Sequence, residues 1–296
     1  MRSYSVNEKF AIDPSTCTSW TEWRFLLQLF GPMTGRYVID GFPSNWNERV
    51  LQNVANVGPV EEEKIKTVIR RAKEGRALYR QAVTYDYSDG DDWFTNLIKQ
   101  KSLISQLAGV VLQEKKAGVL PCYDFESLDL PPTADEQIRS KPEEFARVAE
   151  TIVAISPKIY IVDPYFDVCK FSHRKTIELL LQAAKGKTCL GLEIWARAGL
   201  QTGNDVECIN HFRKLRKDLK LDRCKIKIHL SNDEKSVDKM HDRYVFGQYG
   251  GVRFSHGVQQ HSGSTDVQVM GKALLDVYWT KFSQYQTTYT YRTIDI

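Results

Sequence analysis

The hydrophobic pattern of the chain changes at one proline-rich segment. Before residue 130 most apolar residues recur at helical spacing, whereas beyond it short apolar runs alternate with amphipathic stretches of about 10–15 residues. The segment between them, Leu128–Thr133, contains two adjacent prolines, which disfavour both a helix and a central strand. We therefore predict an N-terminal domain of residues 1–130, a linker of residues 131–141 and a second domain of residues 142–296.

The N-terminal domain is predicted to be largely helical. An apolar cluster that begins at Trp20 ends at Gly31-Pro32, and Val60–Tyr79 has a helical apolar face behind an acidic start. The acidic loop before Trp93 does not fit the EF-hand spacing, which favours a helix cap over a cation site. Two apolar runs between Leu107 and Leu120 flank a polar turn and predict a β-hairpin.

The second domain alternates helices with strands, which predicts an α/β sandwich with a mixed, partly parallel sheet. The chain is therefore assigned to the α/β class. The predicted helices lie near residues 142–155, 173–184, 205–219 and 271–285. The predicted strands are Ile159–Val162, Cys189–Trp195, Cys224–Leu230, His241–Phe246 and Val252–Ser255.

Composition narrows the class of protein. With 296 residues, of which 42% are hydrophobic and 26% charged, the chain has the composition of a soluble globular protein. No apolar run has the length of a membrane span and the N-terminus lacks the apolar segment of a signal peptide, which predicts a cytoplasmic protein. The six cysteines occur singly and without zinc-finger spacing, so we expect no structural metal, no disulfide and no cofactor.

The strongest chemical signal is a histidine two positions before an arginine. His241 and Arg243 fall in a predicted strand, where alternate side chains share one face, so both are expected to point the same way. A neutral imidazole can attack phosphorus or move a proton near neutral pH, and a guanidinium matches two phosphate oxygens. The pair therefore predicts an oxyanion site, above all for phosphate.

Further candidates for a functional site lie outside this pair. Asp163 follows the strand Ile159–Val162, where an acid either faces the same cleft or caps a turn. Gly250-Gly251 either lets backbone amides approach a phosphate or forms a hairpin turn, and His256 lies in the polar loop beyond it. Glu193 is a lone acid in an apolar strand, which favours a paired structural ion or an edge-facing residue over a functional group.

The net charge of +4 is distributed unevenly, with the basic excess in the second domain. Much of this excess falls in one run that could attract nucleic acid or acidic lipid, namely Arg213, Lys214, Arg216, Lys217, Lys220 and Arg223. The alternative is the solvated face of an ordinary helix and strand.

The segments Ile159–Asp167 and Met240–Tyr244, with the glycines that follow, resemble motifs of the phospholipase D-like (PLD-like) superfamily. The resemblance implies that His241 is a nucleophile that forms a phosphohistidine, and that Arg243 stands where the family has its phosphate-binding lysine. Two further positions depart from the family pattern, since Gln248 replaces an aspartate and the downstream asparagine is missing.

The resemblance covers about residues 140–290, and its departures favour binding over turnover. The order His-Asp-Arg followed by two glycines is similar to that in the PLD-like C-terminal domain of MIT proteins, a lipid-binding relative without catalysis. It is also similar to bacterial PLD-like proteins of defence and mobile-element loci. Active members use two motifs, from one chain or from a homodimer, and this chain has one. It is therefore expected either to dimerise about the cleft or not to perform the reaction.

Four functions follow from the resemblance and the charge pattern. The first is a non-catalytic or weakly catalytic PLD-like module that binds the phosphate backbone of DNA or RNA within a larger assembly. The second is a metal-independent homodimeric phosphodiesterase or nuclease, whose catalytic candidates are His241, Arg243 and Asp163. The others are an adaptor with a vestigial site and a phosphoinositide-binding module. Protein partners are expected at residues 1–130, and membrane binding is not expected.

Overall fold

A computed structural model describes residues 6–54, 56–80, 84–114, 116, 120–130, 135–184, 190–232, 235–236, 239–241, 243–258 and 262–296. The chain divides into two compact units. The first unit comprises the described residues from Asn7 to Leu130, and the second comprises Val6 together with the described residues from 135 onward.

The first unit is built on a sheet of five parallel strands in the order β3-β2-β1-β4-β5. Its strands are β1 (Glu8–Ile12), β2 (Arg36–Asp40), β3 (Leu78–Arg80), β4 (Gly109–Leu112) and β5 (Cys122–Asp124). Its helices are α1 (Trp20–Gln28), α2 (Trp46–Asn53), α3 (Pro59–Glu74), α4 (Trp93–Lys99) and α5 (Lys101–Ile104).

The α/β class is confirmed, but the expectation of a largely helical first unit needs correction. Its helices accompany a parallel sheet, and β4 pairs with β5 in parallel, so the hairpin predicted between Leu107 and Leu120 is wrong. The strands are only three to five residues long, and periodicity cannot distinguish such short apolar runs from buried helix. Residues 115 and 117–119 of the expected hairpin turn lie outside the described residues.

Local capping signals in the first unit were more reliable than periodicity. Ser19 begins α1 with a capping box, because its hydroxyl accepts from the Glu22 N–H while the Glu22 carboxylate accepts from the Ser19 N–H. Asp92 accepts from the Thr95 N–H at 3.1 Å, so the acidic loop caps α4 as predicted. The predicted helix at 60–79 forms as α3, but it ends early, at Glu74, and Leu78 and Tyr79 belong to β3 instead.

The second unit contains one sheet of eight strands in the order β13-β9-β8-β7-β10-β11-β12-β6. Its strands are β6 (Glu136–Arg139), β7 (Lys158–Val162), β8 (Gly191–Arg197), β9 (Lys225–Ser231), β10 (Tyr244–Gly247), β11 (Gly251–Phe254), β12 (Ser264–Val269) and β13 (Tyr291–Asp295). Its helices are α6 (Pro142–Ile155), α7 (Phe171–Ala184), α8 (Asp205–Asp218) and α9 (Lys272–Ser283). β7, β8 and β9 are parallel and the remaining pairs are antiparallel, so the mixed, partly parallel sheet is confirmed.

Three strands of the second unit were not predicted, and β10 begins three residues later than predicted. β6 lies inside the segment predicted as a linker, β12 lies in the predicted polar loop, and β13 was not predicted. These strands contain few apolar residues and many polar ones. They therefore lack the apolar run by which a strand is predicted from sequence. β10 begins at Tyr244, so His241 and Arg243 precede the strand instead of lying on it.

Strand directions bring several segments to one edge of this sheet, which we call the C-terminal edge. β7 and β8 end there, at Val162 and Arg197, and the antiparallel strand β10 begins there, at Tyr244. By the same alternation β11 ends at this edge, β12 begins there, and β6 ends there at Arg139. Ligand sites of α/β sheets commonly lie beyond the carboxyl ends of parallel strands.

A buried ionic network crosses the middle of the second sheet. Glu193 on β8 accepts hydrogen bonds from Lys158 at 2.7 Å, from the Tyr285 hydroxyl at 2.9 Å and from the His229 imidazole at 3.2 Å. The carboxylate is almost fully buried, and although burial opposes its charge, its hydrogen bonds lower its pKa to about 2. Glu193 is therefore the paired structural ion that its sequence context favoured.

We predict that Glu193→Gln destabilises the second unit by about 3 kcal/mol at neutral pH, because it leaves the partly buried Lys158 and the buried His229 without their carboxylate. The pKa of Glu193 lies below the value of 4.5 for an unfolded glutamate, so its contribution is present above pH 4.5 and is lost as the pH falls towards 2. Chemical denaturation between pH 2 and 7 should show this acid loss in the wild type and less of it in the variant.

The matched control is Asp218→Asn, which neutralises an exposed carboxylate at the end of α8 and should change the free energy of unfolding by no more than about 0.5 kcal/mol. Equal effects of the two substitutions would contradict a structural role for Glu193.

Candidate functional site

A buried carboxylate ties together two segments of the C-terminal edge. Asp163 follows β7 and is fully buried, and its two oxygens accept from the Tyr165 N–H at 2.9 Å and from the Val258 N–H at 2.8 Å. Burial raises the pKa of Asp163 to about 6, against the opposing effects of these hydrogen bonds and of Arg243. Asp163 therefore fixes the loop after β7, and the expectation that it is a catalytic acid open to the cleft needs correction.

At Gly257 the backbone passes close to the Asp163 carboxylate. Its φ of +81° lies in the left-handed region, which favours glycine. A Cβ at this position would lie 2.9 Å from the carboxyl carbon of Asp163, nearer still to its Oδ2, and 3.1 Å from the Arg243 side chain. The close approach of the 255–258 segment to Asp163 and Arg243 therefore requires glycine here.

Two arginines meet at Tyr165, which Asp163 positions. The guanidinium carbons of Arg197 and Arg243 lie over the Tyr165 ring, at 5.3 and 5.1 Å from its centroid. Arg197 also donates to the Met240 carbonyl at 2.6 Å, and Arg243 donates to the Ser255 carbonyl. The tyrosine is 37% exposed, so the cluster presents two fixed cations and an aromatic surface at the edge.

His241 lies at this edge but not in the predicted geometry. It precedes β10 and is exposed, so the argument that a strand places His241 and Arg243 on one face does not hold. Within the described residues the His241 imidazole has no hydrogen-bond partner. Its neighbour Asp242 lies outside the described residues. A histidine nucleophile is normally oriented by a second group, and no described residue does so here.

The glycine pair lies at the opposite end of β10. The Gly247 N–H donates to the Gly250 carbonyl at 2.8 Å, and Gly251 opens β11 opposite Phe246. A Cβ on Gly251 would clash with the Phe246 side chain and meet the Met270 sulfur at 2.5 Å. Gly250-Gly251 therefore forms the hairpin turn and packs against a neighbour, and the prediction that it binds phosphate beside Arg243 is wrong.

His256, by contrast, lies at the C-terminal edge with Arg243. Its Nδ1 is 3.0 Å from the Ser255 hydroxyl, and its backbone N–H donates to the Thr265 hydroxyl at 3.0 Å. The imidazole is exposed on the segment that Asp163 holds. His256 therefore lies on the same edge as Arg243, and its phosphate-binding role stays a prediction.

The basic run extends away from this edge. α8 connects the parallel strands β8 and β9, so it starts near the C-terminal edge and ends at the other, where β9 begins at Lys225. Arg216 is a structural residue, since it donates to the carbonyls of Ile296 and Asp222, both at 2.8 Å. The other residues of the run are exposed, as expected for the solvated face of an ordinary helix and strand. They are Arg213, Lys214, Lys217, Lys220 and Arg223.

Sequence reasoning missed Tyr165 and Arg197 as site residues. Both were visible in principle, since Tyr165 follows β7 by three positions and Arg197 is the last residue of β8. Among the residues at the carboxyl ends of strands, Asp163 alone was predicted to belong to the site. Which neighbouring side chains meet depends on strand order, and the sequence does not state that β8 lies beside β7.

The first unit carries a separate groove of about 930 Å³ between α1 and α3. Its walls include apolar residues together with cations, and Lys64 and Arg24 lie over the Trp20 ring at 5.2 and 5.7 Å from the centroid. The expectation that residues 1–130 bind a protein partner stays a prediction.

No protein-family model matches this chain, and no curated protein matches its sequence. The PLD-like resemblance therefore stays a prediction. Among the described residues there is no group of three or more histidine, cysteine, aspartate or glutamate side chains arranged to hold a metal ion. No helix in the described part of the chain is both long and apolar enough to cross a membrane.

We predict that Gly257→Ala lowers the free energy of unfolding of the second unit by about 2–4 kcal/mol, since it adds a strained φ and a clash with Asp163. Gly199→Ala is the control, because a Cβ there meets nothing within 4 Å and should cost less than about 1 kcal/mol. Denaturation of the full-length variants measures both. A tolerated alanine at 257 would contradict the tight closure over Asp163.

Proposed function

We propose that the second unit is a PLD-like module that binds the phosphate backbone of a nucleic acid at its C-terminal edge without hydrolysing it. The supporting observation is the cluster in which Arg197 and Arg243 lie over the partly exposed Tyr165 ring. Guanidinium groups match phosphate oxygens in geometry and charge, and an aromatic ring offers a base a stacking surface. The combination favours a single strand, whose bases are free to stack.

Binding is favoured over turnover by the environment of His241. Phosphohistidine formation needs an imidazole held in line with phosphorus, and no described residue orients this one. Both arginines, in contrast, are fixed by backbone carbonyls, Arg197 by Met240 and Arg243 by Ser255. Fixed cations lose little conformational freedom when they meet an anion, which supports binding.

The test is the affinity of the full-length protein for a labelled single-stranded oligonucleotide, measured by fluorescence anisotropy at several salt concentrations. Arg197→Gln combined with Arg243→Gln should weaken binding and flatten the slope of log K against log salt concentration by about 1.4, or about 0.7 for each lost phosphate contact. The control combines Lys225→Gln with Lys272→Gln, which removes two exposed cations near the opposite edge of the same sheet and should leave the slope unchanged.

Substitutions of Tyr165 distinguish the contribution of base stacking from that of charge. Tyr165→Leu should weaken binding about tenfold with an unchanged salt slope, whereas Tyr165→Phe should bind as the wild type does, because the ring is kept. Absence of binding by the wild type at low salt would contradict the proposal. So would an arginine variant that binds as tightly as the control.

The alternative of a homodimeric phosphodiesterase makes an opposite prediction for His241. Under the proposed function His241→Ala leaves oligonucleotide affinity within about twofold and the wild type leaves the strand intact. Cleavage that persists in EDTA, occurs in a dimer verified by light scattering and disappears in His241→Ala would establish the alternative instead. The roles of the protein in an assembly or in defence stay predictions of the resemblance.

A further inference from the structure

A second cleft lies at the far end of the same sheet edge and has no part in the cluster around Tyr165. Its volume is about 740 Å³, within the range of about 300–1,000 Å³ that small-molecule sites occupy. It is bounded by the end of β6, the start of β12 and the starts of α6 and α7. Its lining residues are Arg139, Ser140, Lys141, Lys170, Ser172, Ser262, Gly263 and Ser264.

The charge of this cleft is uniformly positive. Arg139, Lys141 and Lys170 line it, all three are exposed, and the lining includes no carboxylate. Among the described residues none of the three has an ion-pair partner within 4.0 Å. Three cations around one concavity repel each other and attract an anion, and the repulsion is relieved when the anion binds.

Carboxylates close in sequence to these cations are engaged elsewhere. The Asp167 oxygens accept from the Cys169 N–H at 2.9 Å and from the Thr202 hydroxyl at 2.6 Å, and Glu144 pairs with Arg147 at 3.0 Å. Glu143 is exposed in the first turn of α6 and is not part of the lining. The lining itself therefore carries three cations and no carboxylate, and Glu143 beside it lowers the net positive charge of the flanking segment by one.

The remaining lining groups are hydrogen-bond donors suited to an oxyanion. Ser172, Ser262 and Ser264 bring hydroxyls, and Gly263 brings backbone without a side chain. α6 and α7, of 14 residues each, begin one residue after the lining residues Lys141 and Lys170, so the positive ends of their dipoles add to the field of the three cations.

We propose that this cleft binds a phosphate group. The volume accommodates a phosphate together with the group that carries it, and the cations and hydroxyls supply charge and donors on several sides. β6 is three strands from β10, so the cleft lies about 14 Å from the Arg243 segment at about 4.8 Å for each strand spacing. The inference that this phosphate belongs to a nucleic-acid strand bound at Tyr165 rests on the proposed function. Phosphate binding in the cleft does not depend on it.

The first experiment tests the cleft with inorganic phosphate alone. Phosphate is titrated into full-length wild-type protein at constant ionic strength, with chloride as the reference, and amide resonances are followed by TROSY NMR. Shifts should be concentrated at 139–143, 170–173 and 262–264. The triple variant Arg139→Gln, Lys141→Gln, Lys170→Gln should lose them, with at least a tenfold weaker apparent affinity.

The control is the triple variant Arg223→Gln, Lys225→Gln, Lys272→Gln, which removes the same charge from exposed positions near the opposite edge of the second sheet. It should bind phosphate as the wild type does. Absence of localised shifts in the wild type, or equal weakening in the two triple variants, overturns the proposal, since each would mean that phosphate meets only diffuse positive charge. Circular dichroism verifies that both variants are folded.

A second arm identifies the source of the phosphate with a single-stranded oligonucleotide that carries or lacks a 5′-phosphate. If the triple variant of Arg139, Lys141 and Lys170 weakens the binding of both oligonucleotides equally, the cleft binds a backbone phosphate. If it weakens only the binding of the 5′-phosphorylated oligonucleotide, the cleft binds a terminal phosphate. If inorganic phosphate binds in the cleft but neither strand binds the protein, the cleft is retained as a site for small phosphate compounds and the proposed function fails. The two ideas are thus contradicted by different results.

Discussion

The arrangement of the C-terminal edge depends on the two backbone hydrogen bonds that Asp163 accepts. One comes from Tyr165, just after β7, and the other from Val258, four residues beyond β11. A fully buried carboxylate is costly unless such donors surround it, so the loop after β7 and the 255–258 segment hold each other in place. The ring of Tyr165 and the carbonyl that fixes Arg243 are positioned as a result.

Strand direction then decides which charges share the edge. Because β7 and β8 run parallel while β10, β11, β12 and β6 alternate, the ends of sequence-distant segments lie along one line from Arg197 to Arg139. The basic run of α8 is adjacent to these strands in sequence but leads away from that line. Local charge density in the sequence is therefore a poor guide to where cations converge.

The sequence allowed prediction of the α/β class, the helices of the second unit and the strands with apolar runs, because burial on both faces leaves an unmistakable pattern. It did not allow prediction of β6 and β12, which lie at or near the sheet margin and carry mostly polar residues. The short strands of the first unit were not predicted for a different reason, because a run of three to five apolar residues fits a helix and a strand equally well.

Prediction of the candidate site was limited by the same facts. His241, Arg243, Asp163 and His256 do lie at one edge, but the strand assumed for His241 begins three residues later, at Tyr244. Gly250-Gly251 is separated from them by the length of β10. Tyr165, Arg197 and the cleft cations converge only through strand order and pairing register, which no local pattern encodes.

The central claim is that a nucleic-acid strand contacts the C-terminal edge at Tyr165. Photocrosslinking with a bromouracil-substituted single strand, followed by mass spectrometry of the adducts, measures this contact directly in the full-length protein. The account predicts adducts on the peptide that contains Tyr165 and their loss with Tyr165→Leu. Adducts confined to α8 or to the first unit, in a protein that demonstrably binds the strand, would contradict it.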